Sequence, residues 1–177
     1  MEDASNAPKF HIDRSQYGTG LREWFQDAHS NHINVEIADI DIPVATGFSN
    51  ETVFFSVKSN TNDGEHEGRY VARIEPEDGG MFPIQTPECQ LSVGLQQRVM
   101  KTVQENSDVP IPTIGRLITE PYLGLPFFVM EHIDGKVPSD RPRYTEEGFV
   151  VEEASAQQRT QMVQSGLEAM SGIHRID

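Results

Sequence analysis

The sequence predicts an α+β fold in which a five-stranded antiparallel sheet packs against a helix. The first half of the chain contains three short segments rich in Val, Ile, Phe and Tyr that are separated by polar turns, as expected for an antiparallel meander. A segment with helical periodicity follows, and two more apolar segments then flank a turn rich in Pro and Gly. A long helix is predicted at the end of the chain.

The composition limits which partners the chain can have. It has 177 residues with a formal net charge of -14, and its 36% of hydrophobic residues is enough for a packed core. The acidic excess argues against nucleic acid or an anionic membrane surface as a partner, and no apolar run is long enough to span a bilayer. Cys89 is the only cysteine, which excludes an internal disulfide and, with the polar N-terminus, favours a cytoplasmic location.

The N-terminal region is predicted as an arm followed by a helix. Residues 1–20 are polar without a sustained period, so we expect a flexible arm with little structure. A helix is predicted over residues 20–30 because apolar residues recur there at helical spacing: Leu21, Trp24, Phe25 and Ala28. His29 and His32 lie near its end, but no second pair with the spacing of metal ligands follows, so we expect solvated or helix-dipole histidines.

The first three strands are predicted from β-branched and aromatic residues. Alternation predicts a strand over residues 35–42, with an irregularity at Ala38 and Asp39. Residues 53–57 and 70–74 form the second and third strands, and the polar residues 59–68 between them are predicted as a long hairpin loop.

The second half of the chain is predicted as a helix, two strands and a final helix. The first of these helices covers residues 88–105, with one apolar face lined by Leu91, Leu95, Val99 and Val103. Strands follow at residues 113–119 and 127–133, and the last helix covers residues 156–175. The Pro-rich, charged residues 138–148 before it are predicted as a linker or surface excursion.

Three local features could bind a ligand, and each has a simpler explanation. A polar turn carries Gly47, Ser49, Asn50 and Thr52 and could lie over phosphates, although an ordinary hairpin is the alternative. Arg73 is the only charged residue within the third strand and shares a face with Val71; it either reaches solvent at an edge or serves a buried anion. After residues 127–130, the strand end offers backbone groups without partners, for which adenine is one candidate and a surface turn the alternative.

The order of these parts resembles a family, the aminoglycoside phosphotransferase-like (choline/aminoglycoside kinase-like) kinases. Within it the sequence is similar to the bacterial phosphotransferases related to the kinase domains fused to acyl-CoA dehydrogenases. The resemblance covers nearly everything from Leu21 to the end. The motifs that carry it are Gly47-Phe48-Ser49-Asn50-Glu51-Thr52, Tyr70-Val71-Ala72-Arg73, Arg98-Val99-Met100, Val109-Pro110-Ile111-Pro112, Leu123-Gly124-Leu125-Pro126-Phe127-Phe128-Val129-Met130-Glu131, Gly135-Lys136-Val137-Pro138-Ser139-Asp140 and Ile173-His174-Arg175-Ile176-Asp177.

The resemblance implies a protein-kinase-like small lobe followed by part of a large lobe. Residues 21–133 would form the small lobe and end in the hinge, and residues 134–177 would form a connector and the first helix of a truncated C-terminal lobe. ATP would bind with Mg²⁺, whose ligands are expected beyond residue 177.

The resemblance also assigns roles to individual residues. The turn with Gly47, Ser49, Asn50 and Thr52 would cover the phosphates, and Arg73 would hold the phosphate-pairing position that is a Lys in protein kinases. Gln96 stands where the family commonly has the Glu that partners this cation, and Glu88 lies about two turns earlier. Either Glu88 partners Arg73 or no such ion pair exists, and Glu88 is favoured over Gln96. At the hinge, Met130 would be the gatekeeping residue, and adenine would be held by the backbone of the three residues after it, Glu131, His132 and Ile133.

The family's catalytic Asp and its metal-binding Asp normally follow the helix that ends here at Asp177. We therefore expect the 177 residues alone to be inactive, and to be the N-terminal nucleotide-binding part of an ATP-dependent kinase that phosphorylates a hydroxyl of a small molecule. The alternative is a stand-alone nucleotide-binding or dimerisation module, with a homodimer formed through the exposed C-terminal helix.

Overall fold

The structure is a computed structural model, and it describes residues 13–43, 50–76, 86, 91–140 and 142–176. Described residues up to Lys101, together with Pro112–His132, form one compact unit; Thr102–Ile111 and the described residues from Ile133 onward form a second. In chain order the helices and strands are α1 (Tyr17–Ala28), β1 (Ile33–Asp41), β2 (Glu51–Thr61), β3 (Gly64–Ile74), α2 (Val93–Asn106), β4 (Ile114–Ile118), β5 (Phe127–Glu131), α3 (Phe149–Glu152) and α4 (Ala156–Ile173).

The five strands form one antiparallel sheet in the order β1-β2-β3-β5-β4. This confirms the predicted α+β fold. The predicted irregularity of β1 is present, since its register on β2 shifts between Ala38 and Asp41. Asp39 has a positive φ of 51° there, a conformation that Asp tolerates better than most residues.

The hairpin between β2 and β3 is much tighter than predicted. The two strands remain paired from Glu51 opposite Ile74 out to Thr61 opposite Gly64, so the loop expected over residues 59–68 is wrong. The Thr61 hydroxyl accepts a hydrogen bond from the Asp63 N–H and donates one to the Gly64 carbonyl, and Gly64 adopts φ +123°. Backbone pairing along the whole hairpin holds the two strands together, and an ion pair between Lys58 and Glu67 joins their side chains.

One face of the sheet packs against α1, and we call it the α1 face. Side chains from all five strands meet helix α1 in a single apolar cluster, and Tyr17, Leu21 and Phe25 of the helix are almost completely buried. Helix α1 begins at Tyr17 after a 3-10 turn at Arg14–Gln16, which the side chain of Asp13 caps. The expected arm therefore does not include residues 13–20, and residues 1–12 lie outside the described part of the chain.

Helix α1 approaches the β4–β5 connection closely at Gly20. A Cβ atom at this position would lie 2.1 Å from the carbonyl oxygen of Tyr122. The absence of a side chain is what allows the helix to come this near, and it permits the burial of Leu21 and Leu123.

The opposite face carries Arg73, and we call it the Arg73 face. Helix α2 covers its β4–β5 side, where Val93 and Met100 pack with residues of both strands, Ile114, Leu117, Phe128 and Met130. The predicted apolar face of this helix is wrong, because Leu91 lies before it and Val99 is 56% exposed. The buried positions include Gln97, whose side-chain amide donates to the Gly115 carbonyl at 2.8 Å. A polar side chain can therefore be buried at this position because it is hydrogen-bonded.

The second unit contains α3 and α4. Helix α4 begins with a capping box, in which the side chains of Ser155 and Gln158 each accept a hydrogen bond from the other residue's backbone N–H. The helix predicted over residues 156–175 is therefore present, and it ends at Ile173. Helix α3 lies next to the stretch predicted as a linker and was not predicted. Helix α4 has no buried residue, and its large apolar side chains are all more than a third exposed: Met162, Val163, Leu167, Met170 and Ile173.

Candidate functional site

The Arg73 face brings together predicted site residues from three strands. Thr52 pairs with Arg73, Phe54 with Val71, and Val71 with Met130, so all five side chains lie on the same face. The alternation inferred for Arg73 and Val71 is therefore confirmed. Although the face is not an apolar core, Thr52 and Val71 are each only 5% exposed.

Arg73 is a half-buried cation in the middle of this face. Its Nη1 donates a hydrogen bond to the Thr52 hydroxyl, while its Nε is buried without a hydrogen-bond partner among the residues that the structure describes. Burial lowers the pKa of Arg73 from its usual value, although a guanidinium remains charged at physiological pH. Within the same described ranges no carboxylate forms a salt bridge with Arg73. The arrangement presents a positive charge with hydrogen-bonding capacity to spare.

Asn50 connects the beginning of β2 to helix α2. Its side-chain amide donates to the Gln96 Oε1 at 3.0 Å, and Asn50 is only 8% exposed. Of the two residues that could partner Arg73, Gln96 is therefore engaged with Asn50. Glu88 lies outside the described residues, as do Gly47 and Ser49 of the turn, so their roles stay predictions.

The predicted hinge is more fully hydrogen-bonded than expected. The Glu131 N–H donates to the Thr113 carbonyl at 3.1 Å, and the His132 N–H donates to the Arg69 carbonyl at 3.0 Å. The expectation of unpartnered N–H groups at this strand end is therefore wrong for these two residues, since the sheet continues past the apolar run. Ile133 belongs to the second unit, and its side chain is exposed.

Side chains at the hinge divide between the two faces. Met130 is half-buried on the Arg73 face, beside Val93 of α2. The imidazole of His132 lies edge-to-face on the Phe54 ring, with a centroid separation of 5.5 Å. The Glu131 carboxylate accepts a hydrogen bond from the Thr113 hydroxyl and lies opposite Tyr70. Phe54 and His132 therefore flank the strand ends where adenine was predicted to bind.

Sequence reasoning assigned no role to Glu51, the first residue of β2. Glu51 is 5% exposed on the α1 face, where its carboxylate accepts a hydrogen bond from the Tyr17 hydroxyl. Burial, with a smaller contribution from Glu51, raises the pKa of Tyr17. Alternation could have placed Glu51 on the face of Val53, but its partner lies 34 residues away, beyond the reach of local patterns.

His29 and His32 pack against aromatic rings, contrary to the expectation of solvated or helix-dipole histidines. The His29 and Phe25 ring centroids are 4.4 Å apart, and those of His32 and His66 are 4.8 Å apart. Burial is the main cause that lowers the pKa of both His29 and His32, with neighbouring imidazoles adding to it. In the described part of the chain, no group of three or more His, Cys, Asp or Glu side chains could hold a metal ion.

Comparisons with known proteins bear on the fold. No protein-family model matches the chain. A crystal structure from Ralstonia eutropha JMP134, described as a "putative aminoglycoside phosphotransferase", has a TM-score of 0.51 and 19% sequence identity over 90% of this chain. This chain spans 38% of that protein's length. At this identity the likeness shows a kinase-like phosphotransferase fold alone. None of the helices in the described ranges is both long and apolar enough to cross a membrane.

Proposed function

We propose that this chain is the nucleotide-binding part of an ATP-dependent phosphotransferase that acts on a hydroxyl group of a small molecule in the cytoplasm. The observation that carries the proposal is the half-buried guanidinium of Arg73, whose Nε has no hydrogen-bond partner among the residues that the structure describes. Likeness in fold to the protein described as a "putative aminoglycoside phosphotransferase" supports the same function.

The chemistry of Arg73 favours a phosphate ligand. Thr52 accepts from Nη1, while Nε has no partner among the described residues. A cation removed from water requires an anion or several acceptors, and phosphate oxygens match the planar fork of a guanidinium. ATP phosphates would therefore bind Arg73, covered by the turn that carries Gly47, Ser49, Asn50 and Thr52.

The base of ATP would lie at the hinge end of the same face. Phe54, Met130 and His132 supply apolar and aromatic surface there. Because the N–H groups of Glu131 and His132 donate within the sheet, adenine would be recognised through hinge carbonyls and the backbone of Ile133. Mg²⁺ ligands and the catalytic Asp would come from a segment outside these 177 residues. The substrate is a small molecule rather than nucleic acid or a membrane, as the net charge of -14 favours.

Isothermal calorimetry with MgATP tests the proposal. The unaltered chain should bind MgATP, and Arg73→Ala should weaken binding by about 10- to 100-fold, the range for a hydrogen bond to a charged group. Arg73→Lys should weaken binding less than Arg73→Ala does, because lysine retains the positive charge although it lacks the planar guanidinium. Arg116→Ala is the matched control, since Arg116 is exposed on β4 and paired with Glu120. Equal losses in Arg73→Ala and Arg116→Ala, or no binding by the unaltered chain, would contradict the proposal.

The second candidate is a stand-alone nucleotide-binding or dimerisation module without catalysis. It is favoured by the exposed apolar side chains of α4, among which Val163 is 66% and Leu167 56% exposed. Analytical ultracentrifugation should then show a dimer that Leu167→Glu dissociates, while Gln164→Glu, on the same helix, leaves it intact. A monomer at all concentrations would rule out a dimerisation module, and absence of MgATP binding would rule out a nucleotide-binding module.

A further inference from the structure

Three consecutive residues at the start of β2 contact three different elements. Asn50 donates to Gln96 of α2, the Glu51 carboxylate accepts from Tyr17 of α1, and Thr52 accepts from Arg73 of β3. All three residues are at most 8% exposed. The chain therefore enters β2 with each of these three side chains held by a different element.

Glu51 is the unexpected member of this group. It occupies the register of Val53, Phe55 and Val57 on the α1 face, where the other three side chains are almost completely buried and apolar. A carboxylate in such a position is destabilising unless it is hydrogen-bonded or paired. The Tyr17 hydroxyl supplies the hydrogen bond, and the Arg14 Nη2 lies 2.5 Å from the Glu51 Oε1 as an ion pair without hydrogen-bond geometry.

The helix end that holds Glu51 is itself fixed. Tyr17 is completely buried in the first turn of α1, and Leu21 and Phe25 anchor the same helix in the apolar cluster. Because the contact joins a rigid helix to the first residues of a strand, it determines the direction in which the chain enters the sheet. An apolar residue at position 51 would fill the space without fixing that direction, since apolar contacts are not directional.

We propose that Tyr17 and Glu51 are positioning residues for the phosphate site, because they hold the start of β2 from the opposite face of the sheet and so keep Thr52 beside Arg73. This inference rests on the proposed binding of ATP. It assigns helix α1, which lies on the face opposite to Arg73, a role in setting phosphate geometry. Loss of the Tyr17 hydroxyl should therefore affect the phosphate end of the nucleotide more than the base.

A pair of tyrosine variants tests the inference on the 177-residue chain. Tyr17→Phe removes the hydroxyl that Glu51 accepts from, and Tyr70→Phe is the control, because the Tyr70 hydroxyl contacts His66 on the same α1 face of the sheet. By calorimetry, Tyr17→Phe should weaken MgATP binding about fivefold, the value of one net hydrogen bond, and leave adenosine binding unchanged. Tyr70→Phe should change neither. Equal losses for MgATP and adenosine, or equal effects of the two variants, would overturn the inference.

Amide hydrogen exchange gives a readout that does not need a nucleotide. Tyr17→Phe should accelerate exchange at the first residues of β2, Glu51–Val53, more than at the hairpin end of the strand, and Tyr70→Phe should not. Glu51→Gln should give an intermediate effect, because its amide oxygen still accepts from Tyr17 but no longer pairs with Arg14. Uniform exchange changes along β2 would mean that the contact is only structural.

The binding measurements separate the two proposals. If the unaltered chain binds neither MgATP nor adenosine, the proposed function fails. If Arg73→Ala impairs binding and Tyr17→Phe does not, only the positioning role fails.

Discussion

The two faces of the sheet in the first unit bury their residues in different ways. On the α1 face, helix α1 and the strands form one apolar cluster, interrupted at its edge by Glu51. Among the described residues of the Arg73 face, Val93, Ile114 and Phe128 form a small buried apolar cluster, and Thr52, Asn50 and Ser56 are buried through polar contacts. The first arrangement stabilises the fold, whereas the second holds donors and acceptors in fixed positions at a cost in stability. Under the proposed function, the Arg73 face is the one that binds the nucleotide.

The largest effect on the free energy of unfolding should come from removing a buried aromatic ring from the α1 face. Phe127 is completely buried there, and its ring lies 6.1 Å from that of Trp24 in an edge-to-face contact. Phe127→Ala should lower the free energy of unfolding by about 3–5 kcal/mol, because it removes apolar contacts and leaves a cavity. Urea denaturation followed by circular dichroism measures the change. Phe54→Ala is the control on the Arg73 face, where the ring is half-buried, and a similar loss there would mean that both faces contribute equally to stability.

The next effect tests how closely α1 must approach the sheet. Gly20→Ala would place a Cβ against the Tyr122 carbonyl, so the helix has to shift, and about 1–3 kcal/mol of unfolding free energy should be lost. Gly166→Ala in α4 is the matched control, because nothing lies within 4 Å of a Cβ there. That substitution should be neutral or stabilise the chain by about 0.5–1 kcal/mol through helix propensity. Thermal unfolding of both variants distinguishes a packing effect from one of backbone entropy.

The α1 face and the strands were predictable from the sequence because their signals are local. Period-two alternation placed Arg73 with Val71, and the interruption at Asp39 marked the irregularity of β1. The face of α2 was not predictable in the same way, since Gln97 holds a buried position through its bond to Gly115. The spacing of apolar residues cannot identify a buried polar residue whose hydrogen-bond partner is a carbonyl far away in the sequence.

The predicted site residues show the same limit. Thr52 and Asn50 were placed near Arg73 by resemblance, yet their partners could not be deduced, and Gln96 accepts from Asn50 rather than serving Arg73. Glu51 was passed over because Tyr17 was assigned to an arm. Contacts between residues far apart in sequence decide the site, and they depend on the whole fold being formed.

A smaller effect should follow from neutralising the cation of the Arg73 face. Without nucleotide, Arg73→Met should leave the free energy of unfolding within about 1 kcal/mol of the unaltered chain or raise it, because a half-buried charge is replaced by apolar atoms. Saturating MgATP should stabilise the unaltered chain against urea but not this variant. Arg116→Met controls for the loss of one positive charge from an acidic chain. Strong destabilisation by Arg73→Met without ligand would mean that Arg73 has a structural role.

The smallest effect is a dependence of stability on pH that originates at the edge of the α1 face. His29 and His32 have pKa values below the ordinary 6.5 in the folded chain, mainly because burial disfavours their charged forms. Below pH 6.5 the unfolded chain binds more protons at these positions than the folded chain, so the free energy of unfolding should fall as pH decreases from about 6.5 toward 5. Above that range both states are neutral and these histidines contribute no slope. Replacing both with Gln should flatten this part of the profile. A profile that stays unchanged in the double variant would show that the imidazoles of His29 and His32 titrate alike in the folded and unfolded states.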